Sequence, residues 1–393
     1  MKENTRTLTF GLVLLFICCY FMRLFAFPNV LTVALGGALS LGLIIQQKRI
    51  SIDVGICLLA LSMGSYYLIV NGVRGLFFMI LYIPPVLYVL AEYAVFGIKK
   101  DKDFQKKITW LIFALIIGLA VYGILNSYMW FAGYVVPGTR RWQDFWTREI
   151  VPGTQHTAYY LPVLASFVPA VLYFKKRSLL NAGIIILTGF FAYSSLATRS
   201  RMSIVIFALV FGVQLLLFVI FEHDRVKEMF SDKRFWILCG VLAAAMIAGI
   251  ILVKDHPIVV AFIENMGKGG GIVKNVRFSA QKMALEQLFV YPMGGRQMEL
   301  GREFCHNTWL DMANAGGLIP FFAFALYTVY SFVELIRLLC GKSVPTETKM
   351  MLTGLYAAFF LYLSVEPALD ASIHLVTPWI FVNGLIHGIT AKK

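Results

Sequence analysis

A chain of 393 residues with 59% hydrophobic and only 14% charged residues does not suit a soluble domain, in which about a quarter of the residues are charged. Its mean hydropathy of +0.75 indicates an integral membrane protein instead. The net charge of +14 does not indicate nucleic-acid binding, because the basic residues form short clusters between apolar runs, as in oriented membrane proteins.

The first apolar run follows a short basic N-terminus. We expect a retained span rather than a cleaved signal peptide, because the run is long, lacks a small-residue cleavage site and is followed at once by another apolar run. Eleven further runs follow, each near the length that crosses a bilayer. The sequence therefore predicts an all-α integral membrane protein of about twelve transmembrane helices in one polytopic domain, residues 1–393. The predicted spans are 8–27, 30–46, 51–71, 75–97, 108–130, 158–174, 179–197, 202–221, 235–253, 307–338, 350–365 and 372–390.

The charges between the spans predict the orientation. With the N-terminus inside, every inner segment is basic, and these segments hold 21 of the 35 basic residues. Both termini are then cytoplasmic. The other 14 are ten arginines and four lysines, and this external enrichment in arginine indicates an anionic ligand.

Two predicted external loops are long enough to carry function. Residues 131–157 contain Trp142 and Trp146, which could stack on an acceptor sugar or form an aromatic belt at the membrane surface, the commoner use of such residues. Residues 254–306 form a large extracytoplasmic loop in which the spacing from Arg277 to Phe289 predicts a short amphipathic helix.

The cysteines predict neither a disulfide framework nor a metal site, because no CxxC or His/Cys spacing occurs. We predict no metal and no cofactor. Among the six cysteines, Cys305 alone falls in a polar external stretch, so we expect it to be accessible from outside.

Arg277 and His306 are the candidate site residues of the larger loop. Arg277 stands in the first turn of the predicted helix, where a cation opposes the helix dipole. A bound phosphate beside it would explain that position, and an arginine exposed to water or lipid headgroups is the alternative. His306 precedes the tenth span and could carry a proton or serve as a structural hydrogen-bond partner.

Charged residues at two further span ends extend this set. Arg199 and Arg201 lie at the edge of the eighth span, where they need a cavity, a partner or lipid phosphates. Glu366 and Asp370 close the eleventh span on the same side. They could neutralise these arginines or accept a proton from a hydroxyl. Together with Arg277 and His306, they could hold a diphosphate and manage one proton.

The order of these motifs resembles the O-antigen ligase and polymerase superfamily of bacterial surface-polysaccharide enzymes. The shared features are Ser200-Arg201 before an apolar span, an external loop with Arg277, the turn Pro292-Met293-Gly294-Gly295, and His306-Asn307 opening a span that contains Gly316-Gly317. The resemblance covers roughly residues 198–322. Outside that range the spans agree in number and hydropathy only.

This resemblance implies a metal-independent glycosyltransferase in the bacterial cytoplasmic membrane. Its donor would be a polyprenyl-diphosphate-linked glycan, and its acceptor a glycan or a lipid-linked molecule. The resemblance implies that Arg201, or its neighbour Arg199, and Arg277 bind the diphosphate, and that His306 engages the acceptor or the leaving diphosphate. A catalytic role of Glu366 and Asp370 is our own inference, since neither has a counterpart in the family, and the general base stays open.

We expect a polymerase of the O-antigen or capsule type, which transfers a growing glycan to a new lipid-linked repeat unit. A ligase that moves finished glycan to another acceptor uses the same donor chemistry and is not separated from it by the sequence. A flippase or transporter of lipid-linked oligosaccharides is the alternative from another class. It is less favoured because the sequence has no internal repeat and its polar residues gather at one face.

Overall fold

The structure is a computed structural model of the chain. It describes residues 2–24, 30–48, 50–72, 84–152, 160–165, 178–233, 236, 237, 240, 254–267, 276–371 and 375–391. The helices within these residues are α1 (Lys2–Phe21), α2 (Val30–Gln47), α3 (Val54–Asn71), α4 (Pro84–Ile98), α5 (Phe104–Phe131), α6 (Tyr160–Ala165), α7 (Ser178–Ala197), α8 (Arg201–Phe221), α9 (His223–Ser231), α10 (Pro257–Gly267), α11 (Val276–Gln287), α12 (Thr308–Gly316), α13 (Leu318–Cys340), α14 (Thr346–Leu363), α15 (Ala368–Ala371) and α16 (Thr377–Thr390). A short antiparallel hairpin of β1 (Arg141–Gln143) and β2 (Ile150–Pro152) follows α5.

Four of these helices, α3, α5, α8 and α13, are long and apolar enough to cross a membrane. Shorter apolar helical segments occur in α1, α2, α4 and α7. The chain is therefore an all-α membrane protein, as predicted. The count of twelve spans stays a prediction, because those predicted at 158–174 and 235–253 lie mostly outside the described residues.

Glycines let several helices approach closely. A Cβ atom at Gly384 of α16 would lie 2.4 Å from the carbonyl oxygen of Tyr88 in α4. A Cβ atom at Gly118 of α5 would lie 2.6 Å from the carbonyl oxygen of Cys18 in α1. Such contacts are typical of membrane helices, which associate mainly by close packing because lipid is as apolar as their side chains.

Aromatic side chains fill the middle of the bundle. Trp379 of α16 is fully buried. The centroid of its ring lies 5.5 Å from that of Tyr327, 5.8 Å from that of Phe324 and 6.4 Å from that of Trp309. These rings separate two polar regions, which we name the His306 end and the His387 end of the bundle.

The predicted tenth span, 307–338, is broken in two. Its helix ends at Gly316, and α13 begins at Leu318 after Gly317, whose φ of 82° is left-handed. The turn at Pro292 docks against this break, where the Leu318 N–H donates to the Pro292 carbonyl oxygen at 2.9 Å. The break thus gives the loop that precedes α12 a fixed anchor on the helix bundle.

Two expectations about side chains in the predicted external loops are wrong. Trp142 is completely buried and packs edge-on against Trp130, so it neither stacks on a sugar nor forms part of a surface belt. Cys305 is also completely buried, because its backbone N–H donates to Asp311 at 2.6 Å and draws this segment under the loop. A reagent in the external solution would therefore not reach Cys305 in the folded protein.

Candidate functional site

Three of the predicted site residues meet at one carboxylate. Arg277 Nη1 donates to Glu366 Oε1 at 3.0 Å, and His306 Nδ1 lies 3.3 Å from Glu366 Oε2. Arg277 Nη1 also donates to the Val365 carbonyl oxygen at 3.0 Å. The exposed fractions of the side chains are 30% for Arg277, 10% for Glu366 and 15% for His306, so the cluster is largely shielded from solvent.

Hydrogen bonds from the side chains of the next two residues to backbone carbonyl oxygens hold His306 against Glu366. Asn307 caps α12 with its side-chain oxygen and donates from Nδ2 to the Ser364 carbonyl oxygen at 3.2 Å. Thr308 Oγ1 donates to the Glu366 carbonyl oxygen at 3.0 Å. His306 itself has a φ of 56°, in the left-handed region. Non-glycine residues in this region are uncommon and occur often at functional sites.

The short helix predicted around Arg277 is α11, and Arg277 stands in its first turn. The face that α11 buries carries the small Ala280 and Ala284, which pack into the loop. The large apolar residues Phe278 and Leu285 are exposed instead, with 49% and 57% of their surface open. This arrangement suits a helix that lies on a lipid surface with Arg277 turned towards the protein.

The second pair of predicted arginines lies at the start of α8. Arg199 has a φ of 55°, and its carbonyl oxygen accepts a hydrogen bond from Arg140 Nη1 at 3.3 Å. The pKa of Arg140 is lowered by partial burial and then by the positive charges of Arg201, Arg199 and Arg277. The charges of Arg201 and Arg277 thus both act on Arg140, which connects the start of α8 electrostatically with the Arg277 cluster.

Neutralisation of Arg199 or Arg201 was one of the two roles that the sequence allowed for Glu366. Among the contacts described, it binds Arg277 and His306 rather than Arg199 or Arg201. Asp370 falls within α15, and its side chain lies outside the described residues.

Arg140 and Arg302 belong to this region but were not predicted as site residues, and Arg140 was noted only as part of the 131–157 loop. The pKa of Arg302 is lowered by burial and by the charge of Arg277, and it is raised in part by Asp311 and Glu366. The excess of arginine over lysine in the predicted external segments was the available signal. That signal did not distinguish these two arginines from the other external ones.

The electrostatics of the region favour an anion. Five arginines act here against two carboxylates, Glu366 and Asp311, among the described side chains. Asp311 accepts hydrogen bonds from the backbone N–H groups of Cys305 and Asn307. Three helices, α8, α11 and α12, also begin at this end, and helix N-termini attract phosphate groups through their N–H groups and dipoles.

His306 has the environment of a proton acceptor. Its pKa is lowered by burial, and the cations Arg277 and Arg302 lower it further, although the hydrogen bond to Glu366 acts in the opposite direction. The lowered pKa favours the neutral form of the imidazole. With Nδ1 towards Glu366, the neutral tautomer that donates from Nδ1 leaves Nε2 as the acceptor.

No family model matches the chain, and no curated protein is significantly similar to it. The chemistry of the site therefore rests on its residues: an excess of guanidinium groups, helix N-termini, and a neutral histidine oriented by a carboxylate.

Proposed function

We propose that the protein is a membrane glycosyltransferase that acts on a polyprenyl-diphosphate-linked glycan at the outer face of the cytoplasmic membrane. Within this class we propose a surface-polysaccharide polymerase. The observation that carries the proposal is the Glu366 carboxylate bound to both Arg277 and His306 beside an excess of arginines. Anion binding and proton acceptance are thereby brought to one place at the end of a membrane bundle.

The reaction needs only these two capabilities. Arg201 and Arg277, aided by Arg140, bind the diphosphate, so that its negative charge is stabilised as it leaves. A hydroxyl of the acceptor sugar attacks the anomeric carbon, and the bond from that carbon to the diphosphate oxygen breaks. The hydroxyl proton passes to Nε2 of His306, and Glu366 stabilises the imidazolium that forms.

A membrane location for this chemistry follows from the substrate. The polyprenyl tail stays in the bilayer, whereas the diphosphate and the sugars lie in water. A site at one end of the helices meets the substrate at this boundary without moving the tail out of lipid. The exposed apolar side chains of α11 would contact the lipid surface beside the site.

The lipid-linked intermediates that accumulate without the protein distinguish polymerase, ligase and flippase. In a strain that lacks the protein, we expect single repeat units on lipid at the outer face. Full-length glycan stranded on lipid would indicate a ligase, and repeat units confined to the cytoplasmic leaflet would indicate a flippase. Either result would overturn the polymerase proposal.

Substitution then tests the site. His306→Ala should give the same single repeat units, with the protein still present in the membrane. Arg141→Ala is the control, because Arg141 is an exposed arginine of β1 that takes no part in the cluster described above. Normal chain lengths with His306→Ala would contradict the assignment of the proton acceptor.

A further inference from the structure

A second polar cluster lies at the His387 end of the bundle. Nε2 of His387 in α16 is 3.5 Å from Asp53 Oδ2 and 3.5 Å from Glu92 Oε1. The exposed fractions of the side chains are 10% for His387, 10% for Asp53 and 1% for Glu92. Glu334 of α13 is near the other ring nitrogen, with Oε2 3.7 Å from Nδ1.

Among the described side chains of this cluster, the carboxylates outnumber the basic groups. Three carboxylates meet here, and Arg337 contacts Glu334. Asp53 and Glu92 both face Nε2 of His387, which contributes at most one positive charge. Burying a net negative charge costs several kcal/mol, so such groups are normally paired or bound to a metal. A divalent cation with a neutral imidazole would neutralise both carboxylates.

The distances from His387 Nε2 to the two carboxylate oxygens are those between ligands of one metal ion. A tetrahedral zinc ion with bonds of about 2.1 Å holds its ligand atoms about 3.4 Å apart. His387 Nε2 is 3.5 Å from each of the two carboxylate oxygens, and all three atoms lie within 4.8 Å of one another.

The hydrogen bonds around this cluster leave His387 Nε2 and Asp53 Oδ2 as atoms that can bind a metal. Nδ1 of His387 lies 2.9 Å from the Tyr330 hydroxyl, so the ring is held from its other nitrogen and Nε2 faces the carboxylates. Metal-bound histidines are almost always held in this way. Oδ1 of Asp53 accepts from the Ile56 N–H and the Tyr88 hydroxyl. Oδ2 is buried and accepts no hydrogen bond from the described residues, and it is the oxygen nearest to Nε2.

We propose that Asp53, Glu92 and His387 form a binding site for a divalent transition-metal ion, with zinc the best fit. One imidazole and two carboxylates leave a fourth position open, and imidazole with carboxylate suits zinc or manganese. The ion joins the N-terminal end of α3 to α4 and α16. Glu334 and Tyr330 of α13 act as positioning residues for His387.

This site is separate from the proposed transferase site. The two sites have no residue in common. The proposal therefore does not depend on the glycosyltransferase proposal, and either can fail without the other. The sequence analysis predicted no metal because it looked for ligands close together in the chain. The ligands proposed here lie in or next to three helices that are far apart in the sequence.

Elemental analysis of the full chain tests the proposal. The protein is purified in detergent with a tag that binds no metal, incubated with ZnCl2 and freed of excess ion. We expect about one zinc per chain. X-ray absorption at the zinc edge should show nitrogen and oxygen ligands and no sulfur. This measurement needs no variant, so it stands even if a substitution prevents folding.

Isosteric variants locate the ion. We expect Asp53→Asn and Glu92→Gln each to reduce the bound zinc at least tenfold, and Glu334→Gln to weaken it by about 10- to 100-fold through His387. Asp224→Asn, at an exposed carboxylate of α9, is the matched control and should keep the ion. Monodisperse wild-type protein that takes up neither zinc nor manganese would overturn the proposal. So would a bound ion that is unaffected by both Asp53→Asn and Glu92→Gln.

Discussion

Arg277 uses one guanidinium nitrogen for two contacts, with Glu366 Oε1 and with the Val365 carbonyl oxygen. A guanidinium has five N–H donors in a planar fork, so one arginine can bind a carboxylate and a diphosphate together, whereas lysine supplies a single ammonium group. We expect Arg277→Lys to slow glycan transfer by about 10- to 100-fold, the effect of losing a charge-assisted hydrogen bond. Chain-length gels and initial rates in isolated membranes measure this.

The matched control for that variant is Arg141→Lys, the same change at an exposed arginine of β1. It should leave the rate unchanged. Full activity of Arg277→Lys would mean that a point charge at this position is sufficient, and the planar fork would then have no role.

Opposing charges set the pKa of His306, and this predicts the pH dependence of transfer. Since neutral His306 is the proposed base, the rate should fall as the pH drops through its lowered pKa. Arg302 lowers this pKa, so Arg302→Gln should move the acidic limb of the profile to higher pH. Glu366 raises it, so Glu366→Gln should move the limb to lower pH.

The two opposite shifts are read from rate profiles of wild type and both variants, measured between about pH 4.5 and 8, on either side of the ordinary histidine pKa. Arg141→Gln serves as the control and should leave the limb in place. A shift in the same direction for both variants would show that another group limits the rate at low pH.

Individual residues of the site were predictable, but their pairing was not. Arg277 and His306 were visible because a cation in a first turn and a histidine at a span boundary are unusual positions. The sequence allowed Glu366 to neutralise Arg199 or Arg201 or to accept a proton, and it did not indicate the contacts with Arg277 and His306. That contact depends on how α11, α12 and the end of α14 pack together, and no local pattern in the sequence encodes this.

The break between α12 and α13 depends on Gly317. A Cβ atom at Gly317 would lie 2.5 Å from the Pro292 carbonyl oxygen, and the residue has a φ of 82°. Gly317→Ala therefore adds a backbone clash to the cost of a left-handed conformation. We expect its loss of stability to be at least twice that of Gly301→Ala, measured as the midpoint of thermal unfolding in detergent.

Gly301 is the matched control because its φ is 67° and nothing lies within 4 Å of the Cβ position. Alanine there should cost only the left-handed backbone strain, about 1–2 kcal/mol. Equal destabilisation by the two substitutions would mean that the turn at Pro292 does not dock against Gly317.

Hydropathy predicted the helices well but missed this break. Apart from Asp311 and Asn314, the residues around Gly316 and Gly317 are mostly apolar, so the segment has the pattern of one long span. What ends the helix is the contact with the turn 292–295, which arrives from another part of the chain. The short helix α11 was predictable because its periodicity is local, yet the side that it buries is set by Ala280 and Ala284 rather than by its large apolar residues.

At the scale of the whole molecule, the two polar regions lie at opposite ends of one aromatic core. The arginines with His306 are at one end, and the carboxylates with His387 are at the other. Composition alone predicted a membrane protein, because so high a ratio of apolar to charged residues does not suit a soluble domain. The distribution of lysine and arginine predicts which end faces the cytoplasm, and this orientation is open to a direct test.

A matched pair of new cysteines tests the orientation. Glu299 is an exposed residue of the loop at the His306 end, and Ser343 is an exposed residue just beyond α13 at the other end. In intact cells, a membrane-impermeant maleimide should label Glu299→Cys above the level of the wild-type chain, and it should label Ser343→Cys only after permeabilisation. Native Cys305 is unsuitable because it is buried. Labelling of Ser343→Cys alone in intact cells would place His306 and Arg277 on the cytoplasmic side, where transfer to an external glycan is impossible.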